Sequence, residues 1–178
     1  MNIACIGDSL TEGYYDRGRS FHPYHSKWDD CKVVNKGLSG GLVTPTPNLW
    51  IGSKVFELQT DGETFDAIVF MAGTNDLGHG ILVDKIFSSF IDITLTLKTL
   101  CKHLFISTVP DAKVIVPGKK ELNQKITNWC MSQPSITLID VYEEIPYSAS
   151  LFDDALHFNV KGYDELGDVI REYISFIH

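Results

Sequence analysis

Apolar residues in this chain gather into short unbroken runs that alternate with longer stretches of helical spacing. The first run, Asn2 to Ile6, stops abruptly at Gly7-Asp8-Ser9. It reads as a strand ending in a tight turn, because glycine tolerates unusual dihedrals and aspartate bonds nearby backbone N–H groups. Leu10 to Tyr15 is expected to open a helix, while Arg17 to Asp30 has no clean period and reads as loop with irregular helix. Lys32 to Asn35 is a brief β-branched strand running into the glycine-rich Gly37 to Gly41. Thr46 before Pro47 has the form of a helix N-cap with proline at the first helical position, and Leu49, Val55, Phe56 and Leu58 give that helix an apolar face to about Gln59. Ala67 to Met71 is continuously apolar, as in a central parallel strand buried on both faces.

The second half repeats the alternation. Val83 to His103 carries Ile86, Phe87, Phe90, Ile91, Leu97, Leu100 and Cys101 near helical spacing and predicts a long helix. Leu104 to Val109 is a buried-strand run stopped by Pro110, and Leu122, Ile126 and Trp129 mark the next helix. Ile136 to Tyr142 reads as a fifth strand and Ser148 to Asn159 as loop. Leu166, Val169, Ile170, Tyr173, Ile174 and Ile177 form the face of a final amphipathic helix. Strands alternating with helices in this way call for a parallel sheet covered on both sides with right-handed crossovers, a three-layer α/β/α fold. The expectation is one domain over residues 1–178, long enough to bury a core without disulfides or metals.

Composition narrows the function classes. A formal charge of −8 without a Lys/Arg cluster argues against nucleic acid as a partner and against docking on anionic membranes. The best candidate for a membrane span, Ile86 to Leu100, is interrupted by Asp92, Lys98 and several Ser and Thr. Four widely spaced cysteines read as reduced thiols, and the N-terminus has no signal-peptide pattern, so a cytoplasmic location is expected. His22, His25, His79, His103 and His178 show no metal-ligand spacing.

The unusual residues follow the strands, and in a parallel sheet such loops share one edge. Gly7-Asp8-Ser9 follows the first strand, Gly37 to Gly41 the second and Gly73-Thr74-Asn75-Asp76 the third. Near the end, Asp154 and His157 stand three residues apart, close enough for the carboxylate to bond one ring nitrogen. Together these meet the needs of acyl transfer: Ser9 as nucleophile, His157 as general base and then acid, Asp154 as its orienter. The oxyanion donors are expected to be the N–H of Ser9, the N–H of Gly40 and the Asn75 side-chain amide, with Gly37 and Gly41 as the other glycine candidates. Asp8 and Asp76 read as braces of their own turns. Tyr14, Tyr15, Leu77, His79 and Phe158 flank these segments and are candidates for a substrate pocket; core packing is the alternative for the aromatics, an exposed loop position for His79.

Gly7-Asp8-Ser9-Leu10, Asn35 through Gly40, Gly73-Thr74-Asn75-Asp76 and Asp154-x-x-His157 resemble, in order, the four signature blocks of the SGNH hydrolases, or GDSL esterases and lipases. The resemblance spans nearly the whole chain. It implies a flavodoxin-like fold with strand order 2-1-3-4-5, and hydrolysis of esters or thioesters through an acyl-enzyme without a metal or other cofactor. It also implies the roles given above to Ser9, Gly40, Asn75, Asp154 and His157. Gly41 and Phe158 depart from many relatives, which have Asp and Pro there. The leading expectation is a serine esterase acting on a small-molecule ester, with acetyl or short acyl groups on an alcohol or sugar. A thioesterase or lysophospholipase for longer chains and a non-catalytic ligand-binding module are the alternatives.

Overall fold

In the computed structural model, which describes residues 1–176, the chain forms β1 (Asn2–Gly7), α1 (Ser9–Glu12), the hairpin strands β2 (Tyr14–Tyr15) and β3 (Ser20–Phe21), then β4 (Lys32–Gly37). It continues as α2 (Gly52–Asp61), β5 (Phe65–Met71), α3 (Thr74–Gly78), α4 (Val83–Lys98) and β6 (Cys101–Ser107). It closes with α5 (Lys119–Met131), β7 (Ile136–Ile139), α6 (Val141–Glu144) and α7 (Val160–Ser175). Five strands make one parallel sheet in the order β4-β1-β5-β6-β7, which is the expected 2-1-3-4-5 when the sheet's strands are numbered along the chain.

Alternation along each strand divides the core into two halves, since successive side chains point to opposite faces. Ala4, Ile6, Ile68, Phe70, Leu104 and Ile106 pack under α2, α4 and α5; Ile3, Cys5, Ala67, Val69 and Phe105 pack under α6, α7 and the Tyr24–Trp28 segment. The strand order reverses at β1, which makes the carboxyl ends of β1 and β5 the usual ligand position in such sheets. Ser9 and Asn75 stand directly after those two strands. Gly7 makes the turn out of β1 possible: a Cβ there would stand 2.1 Å from the Met71 carbonyl oxygen.

Several boundaries differ from the periodicity. The first helix ends at Glu12, where Gly13 closes it in a left-handed cap, and Tyr14–Tyr15 turn back against Ser20–Phe21 as a hairpin. Thr46 and Pro47 do not start α2. They lead into a turn at Asn48 (φ 64°) inside a loop held by the Leu42–Trp50 bridge, and the helix begins only at Gly52. The long helix stops at Lys98, because Cys101 already pairs with Phe65 as the first residue of β6. β7 ends at Ile139, and Tyr142 belongs to α6. Of the final helix, Ile177 lies outside the described residues, as does His178.

Cys5, Cys31, Cys101 and Cys130 are free thiols. Among the described residues, no helix is long and apolar enough to cross a membrane, and no group of three or more His, Cys, Asp or Glu is placed to hold a metal ion.

Candidate active site

Ser9 opens α1, where its hydroxyl is carried at the mouth of the turn and the residue is only 6% exposed. Asp8 caps the same helix, its Oδ1 accepting from the Leu10 N–H at 3.0 Å, so it braces its own turn as the sequence suggests. Its Oδ2 is buried without a partner. Burial pushes the Asp8 carboxyl up to about 7, against the Leu10 hydrogen bond and with the nearby Asp76 charge.

His157 reaches this turn from the far end of the chain. The segment Leu151 to Asn159 folds back on itself through a Phe152–Phe158 bridge, with Asp153 N–H donating to the His157 carbonyl and Asn159 N–H to that of Leu151, each at 2.9 Å. Asn159 then caps α7 by accepting from the Gly162 N–H at 3.0 Å. In this frame Phe158 turns into the core and His157 turns out. His157 Nε2 lies 3.0 Å from Ser9 Oγ, and its Nδ1 lies 2.9 Å from Asp154 Oδ2. With the proton on Nδ1, the ring donates to the carboxylate and accepts from the serine hydroxyl.

Asp154 is fixed in turn: its Oδ1 accepts from the N–H groups of Leu156 and His157, both at 2.7 Å. Partial burial raises the Asp154 carboxyl, but the hydrogen bonds from the His157 backbone and ring and from Leu156 outweigh it and hold it below its usual range. A hydroxyl, an imidazole and an ionised carboxylate in this chain can move a proton off the serine oxygen.

Three hydrogen-bond donors belong to the segments that follow β1, β4 and β5. Among the described residues, the N–H groups of Ser9 and Gly40 have no acceptor. Asn75 Nδ2 donates one hydrogen to the Gly41 carbonyl at 3.0 Å, which orients the amide and leaves its second hydrogen available. Gly40 takes a left-handed conformation (φ 73°) that glycine adopts at no steric cost, whereas the Gly41 N–H is spent on the Leu38 carbonyl at 2.7 Å. Asn35 ties the loop down: its Oδ1 accepts from the Gly37 N–H at 2.7 Å, and its Nδ2 donates to the Thr11 carbonyl at 2.9 Å. Glu12 adds bonds to the Ser39 N–H and hydroxyl.

The pocket candidates divide. Tyr14 lies against the imidazole of His157, ring centroids 4.5 Å apart, and its carbonyl accepts from the Tyr163 hydroxyl at 2.8 Å. Tyr15 points the other way and packs on the core beside α7. Leu77 and Phe158 are core residues rather than pocket walls: Leu77 is buried under α4 and α5, and Phe158 packs between Phe152 and Tyr163. A bridged hairpin must turn one of two neighbours inward, and the apolar ring goes. His79 stays on the exposed rim with its ring against the Asn75 carbonyl at 2.7 Å.

Asp76 does not brace its own turn. Fully buried, it accepts from the N–H groups of Val43 and Thr44, both at 2.9 Å, and so clamps the loop that follows Gly40 and Gly41. Sequence offered no sign of this, since the partners lie more than 30 positions away. Removing the carboxylate orphans two buried donors. An Asp76→Ala variant is therefore expected to lose about 2–3 kcal/mol in urea denaturation, and a loss below about 0.5 kcal/mol would remove Asp76 as the clamp.

The profile of the GDSL-like lipase/acylhydrolase family matches residues 5–165, from β1 into α7. The chain belongs to this family. Membership makes it an ester hydrolase. No curated protein matches its sequence. Among solved structures, a carbohydrate acetylesterase from Sinorhizobium meliloti (Est24) superimposes with a TM-score of 0.82 over 99% of both chains at 16% identity. An acetylxylan esterase from Geobacillus stearothermophilus (Axe2) does so with a TM-score of 0.72 at 19% identity, over 97% of this acylhydrolase and 93% of that chain. A G-D-S-L family lipolytic protein from Veillonella parvula gives 0.75 at 19% identity over 98% of each chain. At these identities the likeness is one of fold.

Proposed function

We propose that this acylhydrolase is a serine esterase that removes short acyl groups, acetyl foremost, from an alcohol or sugar hydroxyl. The observation that carries the reading is the continuous chain Ser9–His157–Asp154, with contacts of 3.0 and 2.9 Å; donors left unspent on Ser9, Gly40 and Asn75, in the segments after the neighbouring strands, support it. Ser9 Oγ attacks the ester carbonyl carbon as its proton passes to His157 Nε2. The carbonyl oxygen becomes an oxyanion and takes hydrogen bonds from the two N–H groups and the Asn75 amide, which matter most when the charge is on that oxygen. Collapse breaks the bond to the alkoxy oxygen, and His157 returns the proton to the departing alcohol. Water then repeats the sequence on the acyl-serine, giving the carboxylic acid and free Ser9. Asp154 offsets the imidazolium in both halves, and Tyr14 holds the ring from one face.

Leu49 supports the short acyl group. Its side chain lies 3.7 Å from the position a Cβ of Gly40 would occupy, and its backbone is held by hydrogen bonds to Leu42 and Pro47. Leu49, beside Gly40, is taken as the wall that limits a longer acyl chain. The two acetylesterase neighbours are consistent with the same preference. The test is a panel of p-nitrophenyl acetate, butyrate, octanoate and palmitate. Wild type is expected to favour acetate, and Leu49→Ala to raise kcat/KM for butyrate relative to acetate by about tenfold, the scale of a methylene or two in an apolar pocket. A wild type that prefers octanoate or palmitate would select the thioesterase or lysophospholipase alternative, and an unchanged ratio in Leu49→Ala would remove the wall.

A further inference from the structure

Asn35 ties together segments on either side of the Ser9 turn, and one of its partners lies outside the reacting groups. Besides the Gly37 N–H and the Thr11 carbonyl, its amide meets His25, whose Nε2 lies 3.1 Å from Asn35 Nδ2. Thr11 belongs to the helix that begins at Ser9, and Gly37 leads into the loop that carries Gly40. The two segments are closely apposed: a Cβ on Gly37 would stand 2.3 Å from the Glu12 nitrogen. The orientation of one amide therefore holds the Gly37–Gly41 loop against the nucleophile's helix.

Backbone partners decide which end of that amide is which. The Gly37 N–H can only donate and takes the amide oxygen, while the Thr11 carbonyl can only accept and takes one hydrogen of Nδ2. The other hydrogen of Nδ2 is left for His25 Nε2, so that ring nitrogen is an acceptor and the ring's proton sits on Nδ1. A proton on Nε2 would set donor against donor. Turning the amide over gives no relief, because it sets the amide oxygen against the Thr11 carbonyl and the NH2 group against the Gly37 N–H. Only a neutral His25 is compatible with the whole set of bonds.

The ring is anchored where the amide needs it. Tyr24 and Trp28 are buried in the core half under α7, where a Cβ on Gly167 would stand 1.9 Å from the Tyr24 carbonyl oxygen. The Trp28 N–H donates to the His25 carbonyl at 3.0 Å, and the two aromatic rings lie 5.8 and 6.0 Å from the imidazole. Burial pushes the His25 imidazole below its usual range, with a contact to its own backbone opposing. Among the described residues no carboxylate pairs with it. Burial holds the Tyr24 phenol well above its usual range, and so neutral. Lys36, beside Asn35 on β4, pairs with Glu57; Glu12, beside Thr11 on α1, bonds Ser39. Arg171 of α7 lies 6.0 Å from the Trp28 ring and pairs with Asp30.

We infer that His25 is a positioning residue for the oxyanion loop: neutral, it accepts from Asn35 and so holds the Gly37–Gly41 loop against the Ser9 helix, and its protonation releases the loop and slows the reaction. The effect on the reaction rests on the esterase reading; the link from His25 through Asn35 to Gly37 does not.

The experiment separates the two by comparing wild type, His25→Gln and His25→Leu. Glutamine keeps an acceptor near the reach of Nε2 but does not titrate, whereas leucine leaves the Asn35 hydrogen unpaired. Hydrolysis of p-nitrophenyl acetate is followed at the p-nitrophenol isosbestic point, over the pH range in which circular dichroism shows each protein folded. At neutral pH His25→Leu is expected to lose about tenfold in kcat with KM little changed, and His25→Gln to recover most of that loss. Below the ordinary histidine range, log kcat/KM of wild type should fall more steeply than about one unit per pH unit, because His157 and His25 each take up a proton. His25→Gln should keep the single-proton slope of about one. The second readout needs no turnover. In isotope-labelled Ser9→Ala, the His25 ring should carry its proton on Nδ1 at neutral pH, and the Gly37 amide shift should titrate together with His25. That titration should vanish when His25→Gln is added. A proton on Nε2 at neutral pH, or a Gly37 titration that persists with glutamine, overturns the link. Wild-type kcat in a folded His25→Leu, or a slope that glutamine leaves unchanged, overturns the positioning role. Should leucine prevent folding, the glutamine slope and the Gly37 titration decide. Coupled titration in a wild type that hydrolyses no ester counts against the esterase reading and leaves the link standing.

Discussion

Ser9→Ala is expected to lower kcat for p-nitrophenyl acetate by about four orders of magnitude, with KM little changed. The alanine lacks the oxygen that forms the acyl-enzyme, but the turn that carries it stays intact. Asp8 still caps α1 through the Leu10 N–H, and Ser9 contributes only its small, nearly buried hydroxymethyl group. His157→Ala is expected to cost about as much, and the double variant scarcely more, because the pair acts as a unit and removing either member ends proton transfer. The measurement is steady-state hydrolysis on folded proteins, paired with labelling by a serine-reactive fluorophosphonate. Wild type should be labelled and Ser9→Ala not. Equal rates for wild type and Ser9→Ala would remove Ser9 from the reaction, and additive losses in the double variant would separate His157 from it.

Asn75→Ala is the next largest effect, a fall of about 100- to 1000-fold in kcat with a small change in KM. The amide has two hydrogens with different tasks. One is held by the Gly41 carbonyl, and this contact fixes the amide and leaves the other hydrogen free, as are the N–H groups of Ser9 and Gly40. Such a donor acts when charge gathers on the substrate oxygen, so its loss belongs to the transition state rather than to binding. Because the alanine also releases the Gly41 carbonyl, thermal melting of the variant must accompany the kinetics. A fall in kcat of less than about fivefold in a protein that melts like wild type would take Asn75 out of the oxyanion hole.

The contrast between Asn75 and its neighbour shows where reading a sequence stops. Asn75 could be nominated because it follows an apolar strand on the edge where ligands bind, and that position is set by β5 itself. Asp76 sits one residue on, turned inward to the N–H groups of Val43 and Thr44, and no local pattern announces partners so distant in the chain. The same clamp belongs to the loop in which Thr46 and Pro47 fail to start a helix: a favourable cap and a proline express a weak local preference, which tertiary hydrogen bonds override. Phe158 and Leu77 are a third case. Proximity in sequence to His157 and Asn75 suggested a pocket, but a hairpin bridge and a short helix each turn these apolar groups into the core.

What the sequence determined by itself is therefore the part governed by short-range periodicity and turn chemistry. It set five strands alternating with helices, the Gly-Asp-Ser turn that carries Ser9, and the three-residue spacing that lets Asp154 grip His157. Only the tertiary structure brought together groups far apart in the chain: His157 on Ser9 over 148 positions, Tyr14 on the imidazole, and Asp76 under the Gly40 loop. These contacts depend on how the layers pack and which donors remain unpaired once they have packed, and side-chain burial is a property of the assembled fold rather than of neighbouring residues.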